Sequence, residues 1–206
     1  MHAAISGVAH FVSDGERTCL EDVRYLLCLL PSNNREVPVA DRPGDPPDRR
    51  TDVRSEIVPT DGNRPYDVRR VLAEIVDDGD YFEVSAARAD AIVRAFARPD
   101  GHTVGIVADQ PWSLVGVLDL ASSEKAARFF QFCDAFTIPL VTFVDVPGLL
   151  SGVGQEHGGI ILHDAKLLYA YRNATVPRVS VALRRAYGGA YIVLDSRAIG
   201  AGMSLA

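Results

Sequence analysis

Chemistry in this chain concentrates where Val179-Ser-Val-Ala-Leu183 runs into Arg184-Arg-Ala-Tyr187 and then Gly188-Gly189-Ala190-Tyr191. An apolar run that ends at small residues and turns into a helix leaves backbone N–H groups bare and pointing one way. Such groups stabilise negative charge on an oxygen. The expected chemistry is therefore oxyanion stabilisation by Gly189 and Ala190, with no side-chain nucleophile. The competing reading is close helix–strand packing, which also selects small residues.

Other patterns give weaker signals. Gly152-Val-Gly154-Gln-Glu-His-Gly158 is one residue too long for a dinucleotide fingerprint, and Pro147-Gly148 separates it from the preceding strand. Ser122-Ser-Glu-Lys125 has the spacing of an acyl-enzyme nucleophile, but no partner motif follows. A helix-capping serine is the plainer reading. His157 and His163 are six apart, which does not place them on one helix face, so no metal site is expected. Asp145 closes an apolar run and suits either an acid–base role or a turn cap.

The elements that position these residues follow from periodicity. Thr103–Ala108, Leu140–Val146 and Arg178–Leu183 are apolar runs that recur every 37 or 38 residues. Helical patterns, Ser122–Phe136 and Ile160–Asn173, lie between them. Strand, helix, strand at this spacing predicts parallel strands with crossover helices. The loops after the strands, including Pro147-Gly148 and Gly188–Ala190, then converge on one edge, where α/β sheets bind ligands. Upstream, Pro65 opens a helix carrying Val68, Val71, Leu72, Ile75 and Val76, and Asp77–Asp80 ends it. A strand comes next near Tyr81–Val84, then a longer segment to Phe96. Residues 1–31 read as a strand at Val8–Val12, then a helix striped by Leu20, Val23, Leu26, Leu27 and Leu30 and closed by Pro31. Four prolines between Pro38 and Pro47 mark a linker, taken as 36–59.

Composition narrows the class. The chain of 206 residues is 48% hydrophobic and 23% charged, enough to bury a core. With net charge −6 and only Lys125 and Lys166 as lysines, it lacks a nucleic-acid footprint. No apolar run reaches the roughly 18 residues of a membrane span. Cys19, Cys28 and Cys133 are widely spaced, the pattern of free thiols in a reducing compartment, so a cytoplasmic protein is expected.

Several segments stand in one register: Pro31-Ser-Asn-Asn34, Asp77-Asp-Gly79, Tyr81-Phe-Glu83, Ala121–Phe129, Phe132-Cys-Asp-Ala-Phe136, Phe143-Val-Asp-Val-Pro-Gly148, Gln155-Glu156, Gly158-Gly-Ile160, Ala165-Lys-Leu-Leu-Tyr-Ala-Tyr171 and Tyr187-Gly-Gly-Ala-Tyr191. In these the chain resembles the carboxyltransferase β subunit of biotin-dependent acyl-CoA carboxylases, of the propionyl-CoA type. The resemblance implies an α/β, crotonase-like fold of repeated β-β-α units wound as a superhelix. It implies transfer of a carboxyl group from carboxybiotin, held on a separate carrier subunit, to the α-carbon of a short acyl-CoA. Partners would be acyl-CoA, a biotin carboxylase and biotin carrier α subunit, and further copies in a hexamer.

By the same resemblance, residues 1–35 end an acyl-CoA domain, and 60–206 begin a biotin-side domain. Gly189 and Ala190 amides would form the oxyanion hole for the biotin ureido oxygen, with Gly188, Tyr191, Ile192, Pro147 and Gly148 bordering substrate. Asp109 stands where the family has Asn. Ile192 stands where propionyl-type members carry Asp, so both propionyl- and acetyl-CoA are candidate substrates. The chain reads as truncated at both ends, without the Gly-rich oxyanion motif of the first domain, and little turnover is expected from it alone. The alternatives are a non-catalytic fragment or assembly-only subunit, and a crotonase-fold hydratase or decarboxylase with an acidic base.

Overall fold

A computed structural model describes residues 1–41, 45–46, 49 and 57–206. The linker expected at 36–59 falls partly outside these residues. Among the described residues, six strands form one sheet: β1 Tyr81–Glu83, β2 Ile92–Ala97, β3 Val104–Asp109, β4 Leu140–Val146, β5 Arg178–Ala186 and β6 Met203–Leu205. Their spatial order is their order in the sequence. The first three pair antiparallel, and β3 to β6 pair parallel. The parallel crossovers anticipated from the 37-residue spacing are present.

The described residues also hold the helices α1 Glu16–Leu29, α2 Val68–Ile75, α3 Leu120–Ala135, α4 Val153–His157, α5 Ile160–Asn173 and α6 Gly188–Val193. The helices α3, α5 and α6 connect successive parallel strands. Strands β2 and β3 are buried along their whole length, which is why β3 reads as an apolar run with no polar alternation. Side chains on opposite faces of these strands enter two cores. Ile92, Phe96, Val107, Leu140 and Val144 pack with α3 and α5, whereas Val93, Ile106, Ala108 and Phe143 pack with α2.

Local chemistry sets the helix positions. Asp119 caps α3 by accepting from Ser122 N–H at 2.9 Å. Ser122 is therefore inside the helix and is not its cap, which corrects the sequence reading: a carboxylate three residues upstream reaches the same orphan N–H groups. Lys125 donates to Arg88 O and Ile92 O, both at 2.7 Å, and is no partner for Ser122. Gly105 lets α3 approach β3, since a Cβ there would stand 2.6 Å from Cys133 Sγ. Tyr171 of α5 stacks on Phe130 of α3 at 3.7 Å between ring centroids, and its hydroxyl lies 3.2 Å from Thr142 Oγ1. Helix α2 begins later than Pro65 suggests, because the Asp67 carboxylate takes Arg69 N–H at 3.0 Å and fixes the cap there.

The amino-terminal segment also departs from expectation. Val8–Val12 is not a strand. It is held by Ser85 N–H to His10 O at 3.0 Å, by Ala9 N–H to His2 O at 3.3 Å, and by Phe11 stacked on Phe82 at 4.7 Å. On α1, Leu29 is fully buried and Leu26 and Leu30 pack on the α3-side core, but Leu20, Val23 and Leu27 stay exposed.

Candidate active site

Strand β5 reaches the site through an irregularity. Val144 pairs with Ala182 and Val146 with Ala186, so one residue of β4 faces three of β5. That one residue is Asp145, and the surplus carries Arg184 and Arg185. The expected strand ended at Leu183. It runs on because both arginines fold back onto Asp145, whose one negative charge they share. Arg185 Nε reaches Asp145 Oδ1 at 2.6 Å and Arg184 Nε reaches Oδ2 at 3.0 Å. Tyr66 Oη donates to the same Oδ2 at 2.9 Å.

This cluster ties the loops together. Arg185 also donates to Val115 O at 2.7 Å, in the loop after β3. There Leu114, Val115 and Gly116 all have positive φ. Gly116 is required, since a Cβ would meet Asp145 O at 2.6 Å. Leu118 N–H reaches Gly148 O at 3.2 Å, in the loop after β4, and Tyr187 N–H reaches Val146 O at 3.2 Å. The loops after β3, β4 and β5 thus meet on the carboxyl edge, as the parallel topology predicted.

Neither carboxylate at the strand ends is placed as a base. Asp145 is fully buried under its two arginines. Asp109 is also buried and accepts Asp145 N–H at 2.9 Å through Oδ2, while Oδ1 has no partner among the described residues. Burial raises its pKa well above the ordinary value; the Asp145 N–H opposes this, the Asp145 charge adds to it and Arg185 opposes it. Burial and Asp145 likewise raise Tyr66. The acid–base role weighed for Asp145 is not what its partners support: it is an anchor. Sequence reasoning missed this anchor, although an Arg pair closing an apolar run was a visible sign of a buried counter-charge.

What faces outward is backbone. Tyr187 precedes α6 in extended conformation, and no side chain caps the helix. The N–H groups of Gly188, Gly189 and Ala190 therefore begin the helix without intrahelical acceptors. Gly188 has φ +60°, which a side chain rarely adopts. A Cβ at Gly188 or Gly189 would meet nothing within 4 Å. Close helix–strand packing is thus not why these glycines are here. Ala190 is buried behind them, Tyr191 is half-buried and Ile192 is exposed. Pro147 and Gly148 are half-buried in the loop joined to Tyr187 through Val146. The residues picked out from sequence are brought together at one edge. Among the described residues no group of three His, Cys, Asp or Glu could hold a metal ion, and no helix is long and apolar enough to cross a membrane.

Parallel β-α units with an uncapped glycine turn at the carboxyl edge make an α/β fold, and its match to solved carboxyltransferases gives that fold as crotonase-like. The chain belongs to the carboxyl transferase domain family, whose model matches residues 1–206. It is 52% identical over 205 residues to the carboxyltransferase subunit of propionyl-CoA carboxylase from Haloferax mediterranei, covering 100% of this chain and 40% of that protein. It is 50% identical over 201 residues to methylmalonyl-CoA decarboxylase subunit alpha from Veillonella parvula, covering 97% of this chain and 39% of that protein. The crystal structure of the transcarboxylase 12S hexamer with hydrolysed methylmalonyl-coenzyme A superposes with TM-score 0.95 at 51% identity, covering 98% of this chain and 39% of that one. The chain spans about two-fifths of the length of the curated relatives it matches.

Proposed function

We propose that this chain forms the biotin-side part of a carboxyltransferase that moves a carboxyl group between carboxybiotin and the α-carbon of a short acyl-CoA. The observation that carries this reading is the open glycine turn at Gly188–Ala190, with no steric need for glycine at Gly189. By their names the relatives are a carboxyltransferase subunit of propionyl-CoA carboxylase, a methylmalonyl-CoA decarboxylase subunit and a transcarboxylase core with hydrolysed methylmalonyl-coenzyme A bound. A carboxyl group on a short acyl-CoA is the chemistry these names support for this chain. Biotin, on a separate carrier, would supply the carboxyl group and a ureido oxygen that becomes negative as the group leaves.

The chain's residues do the rest. Gly189 and Ala190 N–H groups donate to that oxygen, fixed in place so that no reorganisation is needed as charge develops. Gly188 and Gly148 keep the approach free of side chains, and Pro147 borders it. Tyr191 and Ile192 border the acyl group, and the apolar Ile192 suits propionyl or acetyl equally. Residues 1–35 belong with the acyl-CoA side, 36–59 join it to 60–206, and assembly takes the oligomeric pattern of the relatives.

The test uses radiolabelled free carboxybiotin with the purified 206-residue chain, since loss of label needs only the biotin-side hole. Loss of label faster than the uncatalysed background is expected, and Gly189→Val should abolish the excess. A rate equal to background, from a chain shown folded by circular dichroism, would refute a catalytic role. Acetyl- and propionyl-CoA added with a biotinylated carrier and biotin carboxylase should give little or no carboxylated product from this chain alone. Robust turnover would show that the thioester side is not needed from elsewhere.

A further inference from the structure

A second cleft lies on the face of the sheet covered by α3. One end is a cavity of about 240 Å³ floored by Phe96, Phe129 and Phe132, and it continues into a polar end of about 110 Å³. His10, Arg94 and Arg128 line both ends and mark where they meet. The amino-terminal segment closes one side, held by Ser85 N–H to His10 O at 3.0 Å.

Cations outnumber carboxylates here: Arg88, Arg94, Lys125 and Arg128 line the cleft, with Glu124 as the one acid among its described lining residues. Arg94 is 6% exposed and sits mid-strand in β2, between Ile92 and Phe96. It donates to Ser85 Oγ at 2.6 Å, Lys125 O at 2.9 Å and Val84 O at 3.3 Å, all uncharged acceptors. Lys125, 4% exposed, donates to backbone carbonyls. Among the described residues, neither these two nor Arg128 lies within 4.0 Å of a carboxylate. Glu124, on the polar rim, lies 2.9 Å from His163 Nδ1 and away from the cations, and Glu83 is paired with Arg69 at 2.7 Å. Burying cations without a counter-charge is costly. The same excess shows in the neighbours: burial, then Arg94 and Arg128, lowers the pKa of His10. Burial, then Arg128, lowers Arg94 to about 10, and burial, then Arg94, lowers Lys125 to about 8.

A mobile anion offsets such an excess, and the phenyl floor specifies the rest of the molecule. We propose that this cleft binds an amphipathic organic monocarboxylate, its apolar body on Phe96, Phe129 and Phe132 and its carboxylate between Arg94 and Arg128. The glycine turn at the carboxyl edge takes no part. A regulatory or product-sensing ligand of this chemistry would act on the packing of α3 against β2.

Isothermal titration calorimetry of the 206-residue chain with 4-phenylbutyrate tests this, with 4-phenylbutyramide as the neutral isostere. The acid should bind with Kd of about 1 mM or tighter. The amide should bind at least about tenfold more weakly, because the charge-assisted bonds are lost. Arg128→Gln, at an exposed position that leaves the fold intact by circular dichroism, should weaken the acid about tenfold and leave the amide unchanged. Phe132→Ala should weaken both. No binding of the acid, equal binding of acid and amide, or an unaffected Arg128→Gln variant would each overturn the proposal.

Discussion

Asp109 is a carboxyl group placed where the fold offers no counter-charge of its own. Its Oδ1 is buried without a partner among the described residues, and Asp145 already uses both nearby arginines. Burial raises its pKa in the folded chain, so the folded state holds a proton that the unfolded state releases above about pH 4. Stability therefore falls as pH rises from the unfolded value toward the folded one. Asp109→Asn should melt higher than the parent at pH 8, with the gap closing toward pH 4 in thermal scans. A gap that does not change with pH would mean that the carboxyl is ionised in the folded chain. Gly189 makes the opposite kind of prediction. Gly189→Val should leave the melting temperature close to that of the parent, because a Cβ there meets nothing within 4 Å and the position is exposed. Carboxybiotin turnover should fall about a hundredfold, the scale of a misplaced ligand. At this scale the glycine turn was legible in the sequence, because small residues straight after an apolar run make a local pattern. The sequence picked out Asp145 but not its role as an anchor, because partners 39 and 40 residues away leave no local pattern at the aspartate.

The elements were legible in proportion to how evenly apolar they are. β4 and α5 fall where their patterns predicted, and β3 is displaced by a residue. β2 was read only as a longer segment to Phe96, because Arg94 interrupts its apolar run. β5 was cut short at Leu183 because its bulge residues are charged. A bulge turns the strand in a new direction, and here it delivers Tyr187 and the glycine turn to the edge. The base of β5 depends on another ion pair, Arg178 to Asp195 at 2.6 Å, both buried, with Arg178 also bonded to Gly200 O at 2.6 Å. Arg178→Met leaves Asp195 buried without its cation and should cost about 3–5 kcal/mol in urea denaturation. A cost under about 1 kcal/mol would mean that water reaches Asp195 in the folded chain.

At the scale of the whole molecule, the last described strand presents an open edge in the 206-residue chain. Among the described residues β6 pairs only with β5, and Met203 and Leu205 on it are 57% and 50% exposed. Such edges recruit further strands. Met203→Lys with Leu205→Lys should lower concentration-dependent association of the chain in light scattering without changing its melting temperature. Unchanged association would place the contact elsewhere. The order of the sheet has a consequence for how the chain is made. Each strand lies beside the one before it in sequence. A ribosome releasing the chain from its amino terminus never leaves a strand waiting for a neighbour still to be synthesised. The growing edge is always the newest strand, and each new β-α unit docks on a surface already finished.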